Sequence, residues 1–314
     1  MNYTDGATGM QGIADPACRR ETGLIKYDGR ARMIPIHGDP PMADAFLPDS
    51  PELRTSLMQL YREFFERAEK KRRWSVADDI PWDQVNRSMN PAVADVVESF
   101  CAVELYLPDY IGKALPMVRE NKGWGWFHAN WGYEESKHSL VLGDWLLKSG
   151  MRTDEQMADL EADLYKHQYE LPQGSSPLGM VTYAMIQELA TFVHYRNLRD
   201  RVVEIGDPAL EKILTFVSVD ERSHHAFYRS VVKLFLDMDR ERTLTKLREV
   251  LMAFKMPAVG MFADGKQRMA QVKALGIFDE DVFMREVYMP MLPPLGLTHA
   301  DVRGPRIRKS MRES

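Results

Sequence analysis

Trp131-Gly132-Tyr133-Glu134-Glu135-Ser136-Lys137-His138 is the stretch on which the fold turns. Glu135 and His138 stand three residues apart, so on a helix they share one face, about one turn from each other. A carboxylate and an imidazole so placed can grip one metal ion. A second copy lies downstream as Asp220-Glu221-Arg222-Ser223-His224. One Glu-x-x-His recurs by chance in many helices. Two copies, each inside a strong helical pattern, are what a carboxylate-bridged di-metal site in a helical bundle requires, together with one carboxylate from each of two further helices.

The surrounding chain is long enough to build that bundle. Its 314 residues, 45% of them hydrophobic, suffice for one large domain or two small ones with a sizeable core, and nothing in composition forces a split. No apolar run approaches the roughly 18 residues of a membrane span. Residues Met1 to Asp15 lack the basic-then-apolar pattern of a signal peptide. Two cysteines, Cys18 and Cys101, make no disulfide framework, and Cys101 falls in an apolar helical run where it reads as a small buried side chain. These features point to a soluble protein of the reducing cytoplasm. A formal net charge of −5 argues against nucleic acid as the main partner.

Helical periodicity dominates from residue 51 onward, and no segment shows sustained strand alternation, so the reading is all-α. Residues 1–50, rich in Pro, Gly and Asp, read as an extended N-terminal arm; 51–302 as the helical domain; 303–314 as a basic C-terminal tail. Helices are expected at 51–73, 91–121, 124–149, 153–170, 178–205, 208–238 and 240–258, with another from about 279. Asn90-Pro91 opens the second with a cap and a first-position proline, while Pro108 and Pro116 should kink or interrupt it. Gly206-Asp207-Pro208 is a stop followed by a fresh start. Lys70 to Arg73 and Arg240 to Arg248 read as solvated charged faces, with docking of an acidic partner as the sharper alternative.

The two missing carboxylates have candidates in Glu104 and Glu188, each in apolar surroundings on the helix before one of the motifs. Glu104 precedes Glu135 by 31 residues and Glu188 precedes Glu221 by 33, which makes an internal pseudo-repeat. A carboxylate in such surroundings is costly unless paired or metal-bound. The candidate ligands are therefore Glu104, Glu135, His138, Glu188, Glu221 and His224, the pattern of a ferritin-like four-helix bundle with a di-metal core. Oxygen-rich ligation with two imidazoles and no thiolate favours two iron ions, with manganese the alternative. Glu134 and Asp220 precede the ligand glutamates. Asp220 is expected to orient His138 and Glu134 to lie near His224; the plainer alternative is that both are surface acids. His225 points about 100° away from His224. His194 lies on a different face from Glu188, structural or exposed, and His128 and His167 show no partner spacing. Met252 and Met256 read as core filler.

On these residues the sequence resembles the soluble acyl-[acyl-carrier-protein] desaturases. Glu104-Leu105-Tyr106-Leu107-Pro108-Asp109-Tyr110 is similar to that family's Glu-Glu-x-Leu-Pro-x-Tyr, which also accounts for the mid-helix proline. Trp131 to His138 resembles Trp-Thr-Ala-Glu-Glu-Asn-Arg-His. Gln187 to Phe192 resembles Gln-Glu-Arg-Ala-Thr-Phe, Asp220 to His224 resembles Asp-Glu-Lys-Arg-His, and Met256-Pro257-Ala258 with Asp264-Gly265 resembles a further segment. The resemblance spans about residues 55 to 295. It implies a di-iron, O2-dependent enzyme that introduces a cis double bond into a saturated acyl chain held in an apolar tunnel. It further implies delivery by acyl carrier protein, with acyl-CoA as the alternative, two electrons from a ferredoxin-like protein, and a homodimer. It gives Thr191 a role in managing protons beside O2, and makes Trp74, Asp220 and His138 an electron route. Departures at Leu105, Ser136, Lys137 and Leu189 remove no ligand. An acyl hydroxylase or N-oxygenase on the same scaffold needs the same six residues. A non-enzymatic iron-storage or helical interaction protein fits the length, the extra helices and Thr191 less well.

Overall fold

Helix starts in this chain are written by side chains that accept from the otherwise unpaired first-turn amides. Ser50, Asn90, Asn121, Thr153, Ser176 and Asp207 each receive a backbone N–H two or three residues on. Pro51, Pro91, Pro177 and Pro208 follow four of these caps, where a missing N–H costs nothing. In the computed structural model, which describes residues 50–169, 176–256 and 264–303, they launch α1 (Pro51–Lys71), α2 (Pro91–Leu105), α4 (Lys122–Lys148), α5 (Asp154–Leu164), α6 (Pro177–Ile205) and α7 (Pro208–Met238). Between α2 and α4 lies α3 (Leu107–Val118), and α8 (Arg240–Ala253) and α9 (Gly265–Ala274) follow α7. Glu280–Val282, a π-helical stretch Phe283–Tyr288 and Met289–Met291 run on as one helical segment, and His299–Arg303 is a last short helix. Among the described residues there is no strand, as the periodicity leads one to expect.

The core is a four-helix bundle of α2, α4, α6 and α7. α2 packs on α4, α6 runs against α7, and α4 meets α7 to join the two pairs. α1 lies over α4 and α7; α3 and α5 flank the first pair and α8 the second, and α9 packs on α2. The described residues all belong to one compact unit. The expected arm and tail lie, apart from Ser50 and Arg303, outside those residues.

Four expectations need correction. The helix expected over 91–121 is two helices. Leu105 ends α2, Tyr106 adopts φ −78°, ψ 7°, and Pro108 sits in the first turn of α3, where its ring needs no donor. Pro116 stays within α3. The helix expected to reach 170 ends at Leu164, and that expected to reach 258 ends at Ala253, where Phe254 turns extended (φ −59°, ψ 128°). Met252 is 82% exposed rather than core; Met256 is part-buried against the core.

At the α6–α7 junction, Gly206 adopts φ +88°, a conformation that favours glycine. Buried Asp207 then accepts Leu210 N with one oxygen, and with the other Trp145 Nε1 at 2.9 Å and Asn86 N at 3.1 Å. One carboxylate thus caps α7 and ties it to α4.

Candidate metal centre

Each bundle helix delivers its acidic side chain to one point. Glu104 comes from the last turn of α2, Glu135 and His138 from α4, Glu188 from α6, and Glu221 and His224 from α7. All six are buried. Their ligand atoms fall into two groups, Glu104, Glu135, His138 and Glu221, and Glu135, Glu188, Glu221 and His224, within each of which every atom lies within 4.8 Å of the others. Glu135 and Glu221 belong to both groups. The structure therefore brings together all six residues named from sequence, around two adjacent positions flanked by shared carboxylates.

The residues fit metal ions on an observation independent of their types. Glu135 Oε1, Glu221 Oε1, His138 Nδ1 and His224 Nδ1 are buried with no hydrogen-bond partner. Buried polar atoms are rarely left so, yet these four face one another: His138 Nδ1 is 3.3 Å from Glu221 Oε1, and His224 Nδ1 is 3.0 Å from Glu135 Oε1. The charges agree. Burial, and then the charges of Glu135 and Glu221, push Glu104 well above the usual carboxylate range; burial and then Glu221 do the same to Glu188. Burial opposes ionisation of Glu135 too, but His138 and His224 outweigh it and hold the carboxyl below its ordinary value. A cluster of four acids that crowd one another in this way is relieved by protons or by cations. Two divalent ions would neutralise four carboxylates with both histidines neutral.

The acids beside the ligand glutamates are not on the surface: Glu134 and Asp220 are buried. They act crosswise. Asp220 Oδ2 on α7 faces His138 Nε2 on α4 at 3.4 Å, and Glu134 Oε2 on α4 faces His224 Nε2 on α7 at 2.8 Å. With Nε2 so held, each Nδ1 is turned to the cluster, the arrangement that fixes a ligand imidazole. Burial would raise Asp220, but His138 and Arg72 draw it down to about 2. Trp74 Nε1 donates to Asp220 Oδ2 at 2.8 Å, so Trp74, Asp220 and His138 are contiguous, and the indole stacks on Phe216 at 5.2 Å.

Other contacts escaped the sequence reading. Trp131 Nε1 donates to Glu188 Oε1 at 3.1 Å and Tyr195 Oη to Glu104 Oε1 at 2.8 Å. Both signals were legible as spacing, since Trp131 precedes Glu135 by four residues and Tyr195 follows Glu188 by seven, each on the ligand's own face. Arg72 and Arg73 are the larger correction. The Lys70–Arg73 run is not a uniformly solvated face: Arg72 turns inward to Glu134 and Asp220, and Arg73 Nη1 reaches Glu134 Oε1 at 2.5 Å. A basic run at a helix end gave no hint of this, because the partners lie 61 to 148 residues away.

An apolar cavity adjoins the cluster. Phe100, Val103, Met256, Met269 and Val272 line it with Glu104, Thr191, His194 and Tyr195, so one carboxylate of the cluster forms part of its wall. Thr191 Oγ1 donates to Gln187 O at 3.0 Å, which leaves its acceptor side for the cavity. His194 is buried, donates Nδ1–H to Ala190 O and stacks on Phe278 at 3.7 Å; burial lowers it to about 4. His128 and His225 are likewise buried and lowered to about 4 by desolvation, each bonded to a backbone carbonyl. His167 is exposed.

A family model described as "Fatty acid desaturase" matches residues 107–295, more than half of the sequence. The chain belongs to the fatty acid desaturase family. The matched region holds five of the six clustered residues; Glu104 lies just before it. This desaturase-family chain is 25% identical to DesA1 of Mycobacterium tuberculosis over 219 residues, 67% of this chain and 63% of that protein. It is 30% identical over 175 residues to the seed-specific, chloroplastic stearoyl-[acyl-carrier-protein] 9-desaturase of Brassica napus, 51% of this chain and 42% of that one. The chain thus spans less than two thirds of the length of the curated relatives it matches. In fold it is similar to DesA2 of Mycobacterium tuberculosis (TM-score 0.62, 17% identity, 80% of this chain and 98% of that one). It is also similar to an R2-like ligand-binding oxidase with a Mn/Fe cofactor (TM-score 0.52, 18% identity, 79% and 92%). The all-helical, ferritin-like expectation is thereby met.

Proposed function

We propose that the protein is an O2-dependent acyl desaturase whose two iron ions are held by Glu104, Glu135, His138, Glu188, Glu221 and His224. The observation that carries this reading is the pair of ligand groups sharing Glu135 and Glu221, with Glu104 also in the wall of an apolar cavity. Bound iron would supply the reduction of O2 and the oxidation of C–H bonds. The overall change balances as a saturated –CH2–CH2– unit, O2, two electrons and two protons going to a cis –CH=CH– unit and two waters. The protein's own groups account for the rest. Phe100, Val103, Met269 and Val272 hold a saturated chain and exclude water. Tyr195 and Trp131 fix the two terminal carboxylates. Thr191 handles protons at the cavity wall, and electrons enter along Trp74, Asp220 and His138.

The curated relatives named as acyl-[acyl-carrier-protein] desaturases support acyl carrier protein as the carrier. An arginine-rich groove between α1, α6 and α7, lined by Arg67, Arg196, Arg222, Arg229 and Arg285 against only Glu63 and Glu286, suits an acidic carrier or a ferredoxin-like donor. An exposed stripe on α4, Trp126, Tyr133 and Leu140 at seven-residue spacing with Phe65 of α1 beside it, suits a homodimer. No described helix is long and apolar enough to cross a membrane.

The test is to incubate the iron-reconstituted protein with saturated acyl carrier protein, ferredoxin, its reductase and O2, and to weigh the released chains. Loss of two hydrogens is expected. A gain of oxygen would assign an oxygenase instead, and iron uptake with no dependence on added electrons would assign storage.

A further inference from the structure

We propose that Arg72 is a positioning residue shared by both halves of the metal centre, its single guanidinium fixing the two carboxylates that orient the two ligand histidines. This rests on the di-metal reading above. Arg72 is the C-cap of α1, with its side chain 6% exposed and its guanidinium 5.0 Å over the Phe64 ring. Nη1 donates to Asp220 Oδ1, and Nη2 reaches Glu134 Oε1 and Oε2 at 3.2 and 3.3 Å. Asp220 comes from α7 and faces His138 of α4; Glu134 comes from α4 and faces His224 of α7. The two holds therefore meet at one cation supplied by a third helix.

That meeting point matters for both charge and geometry. Two buried carboxylates stay anionic and in place only if their charge is matched and their lone pairs are filled. The planar guanidinium fork bonds two acids at once, which a lysine ammonium does not reproduce in fixed geometry. The residues just before the ligand histidines, Lys137 and Ser223, are bonded elsewhere: Lys137 Nζ donates to Trp74 O at 2.6 Å and Ser223 Oγ to Val219 O at 2.9 Å. Arg73 reaches Glu134 but has no bond to Asp220, so it touches only the His224 side.

Titration of the metal-free protein with Co(II), followed by calorimetry and visible absorption, tests the assignment. Wild type should bind two ions per chain. Arg72→Gln should weaken both positions together, by roughly 10- to 100-fold each, the usual cost of losing a partner that orients ligands. Arg72→Lys keeps the charge and serves if the glutamine variant fails to fold by circular dichroism; it too should weaken both positions. Arg73→Gln should weaken at most one. Two wild-type affinities in either Arg72 variant, or loss confined to one position, would overturn the proposal while leaving the site assignment standing. Absence of Co(II) binding by wild type would bring down the site assignment as well.

Discussion

At the scale of single residues, hydrogen-bond donors hold side chains of the buried cluster in place. Tyr195 on α6 gives Glu104 on α2 its only phenolic donor among the described residues. Tyr195→Phe should leave the fold intact and weaken metal binding at the Glu104–His138 position by roughly tenfold, on the usual cost of such partners. Equal Co(II) affinities in variant and wild type would contradict this. Cys101 illustrates the opposite case, a group with chemistry but no use for it. Burial pushes its thiol up to about 12, so a thiol reagent at pH 8 should leave it unmodified in the native protein and label it on denaturation. Rapid native labelling would refute the burial argument.

At the scale of elements, the sequence showed most of what matters and missed it in definable places. The four ligand helices were legible because caps, first-turn prolines and a 3.6-residue apolar period agree at Asn90-Pro91 and Asp207-Pro208. The six clustered residues were legible because the motif repeats at near-equal spacing. What was not legible depends on contacts across the bundle. The break at Tyr106 was signalled locally by Pro108, whereas the turn of Arg72 away from solvent and the exposure of Met252 are decided by how distant parts of the chain pack. The same holds for the seat of α1 on α4. A Cβ at Gly123 would lie 2.6 Å from the carbonyl oxygen of Leu57, which is backbone and cannot step aside. Gly123→Ala should therefore destabilise the protein by about 1–3 kcal/mol, read as a lower denaturation midpoint in urea. An unchanged midpoint would show that α1 is free to shift.

At the scale of the whole molecule, burial has an acid cost. His194 is held neutral with a pKa of about 4, against about 6.5 in an unfolded chain. Above pH 6.5 both states are neutral and the native state loses nothing. As pH falls from 6.5 towards 4, the unfolded chain takes up a proton that the folded one refuses, so stability is lost across that window, by up to about 3 kcal/mol for this group. Replacing His194 by Asn should flatten the pH dependence of unfolding free energy between pH 6.5 and 4. An identical slope would contradict the assignment. The proposed homodimer is tested at the same scale. Leu140→Glu on the exposed α4 stripe should convert a dimer to a monomer by light scattering without loss of bound metal; a dimer that survives must use another face.

Six side chains from four helices, with Glu135 and Glu221 common to both groups, are proposed to hold two metal ions. Iron per chain, counted by mass spectrometry of the metal after anaerobic Fe(II) reconstitution and desalting, tests this most directly. Two ions per chain are expected, and one or fewer would rule out a two-ion centre.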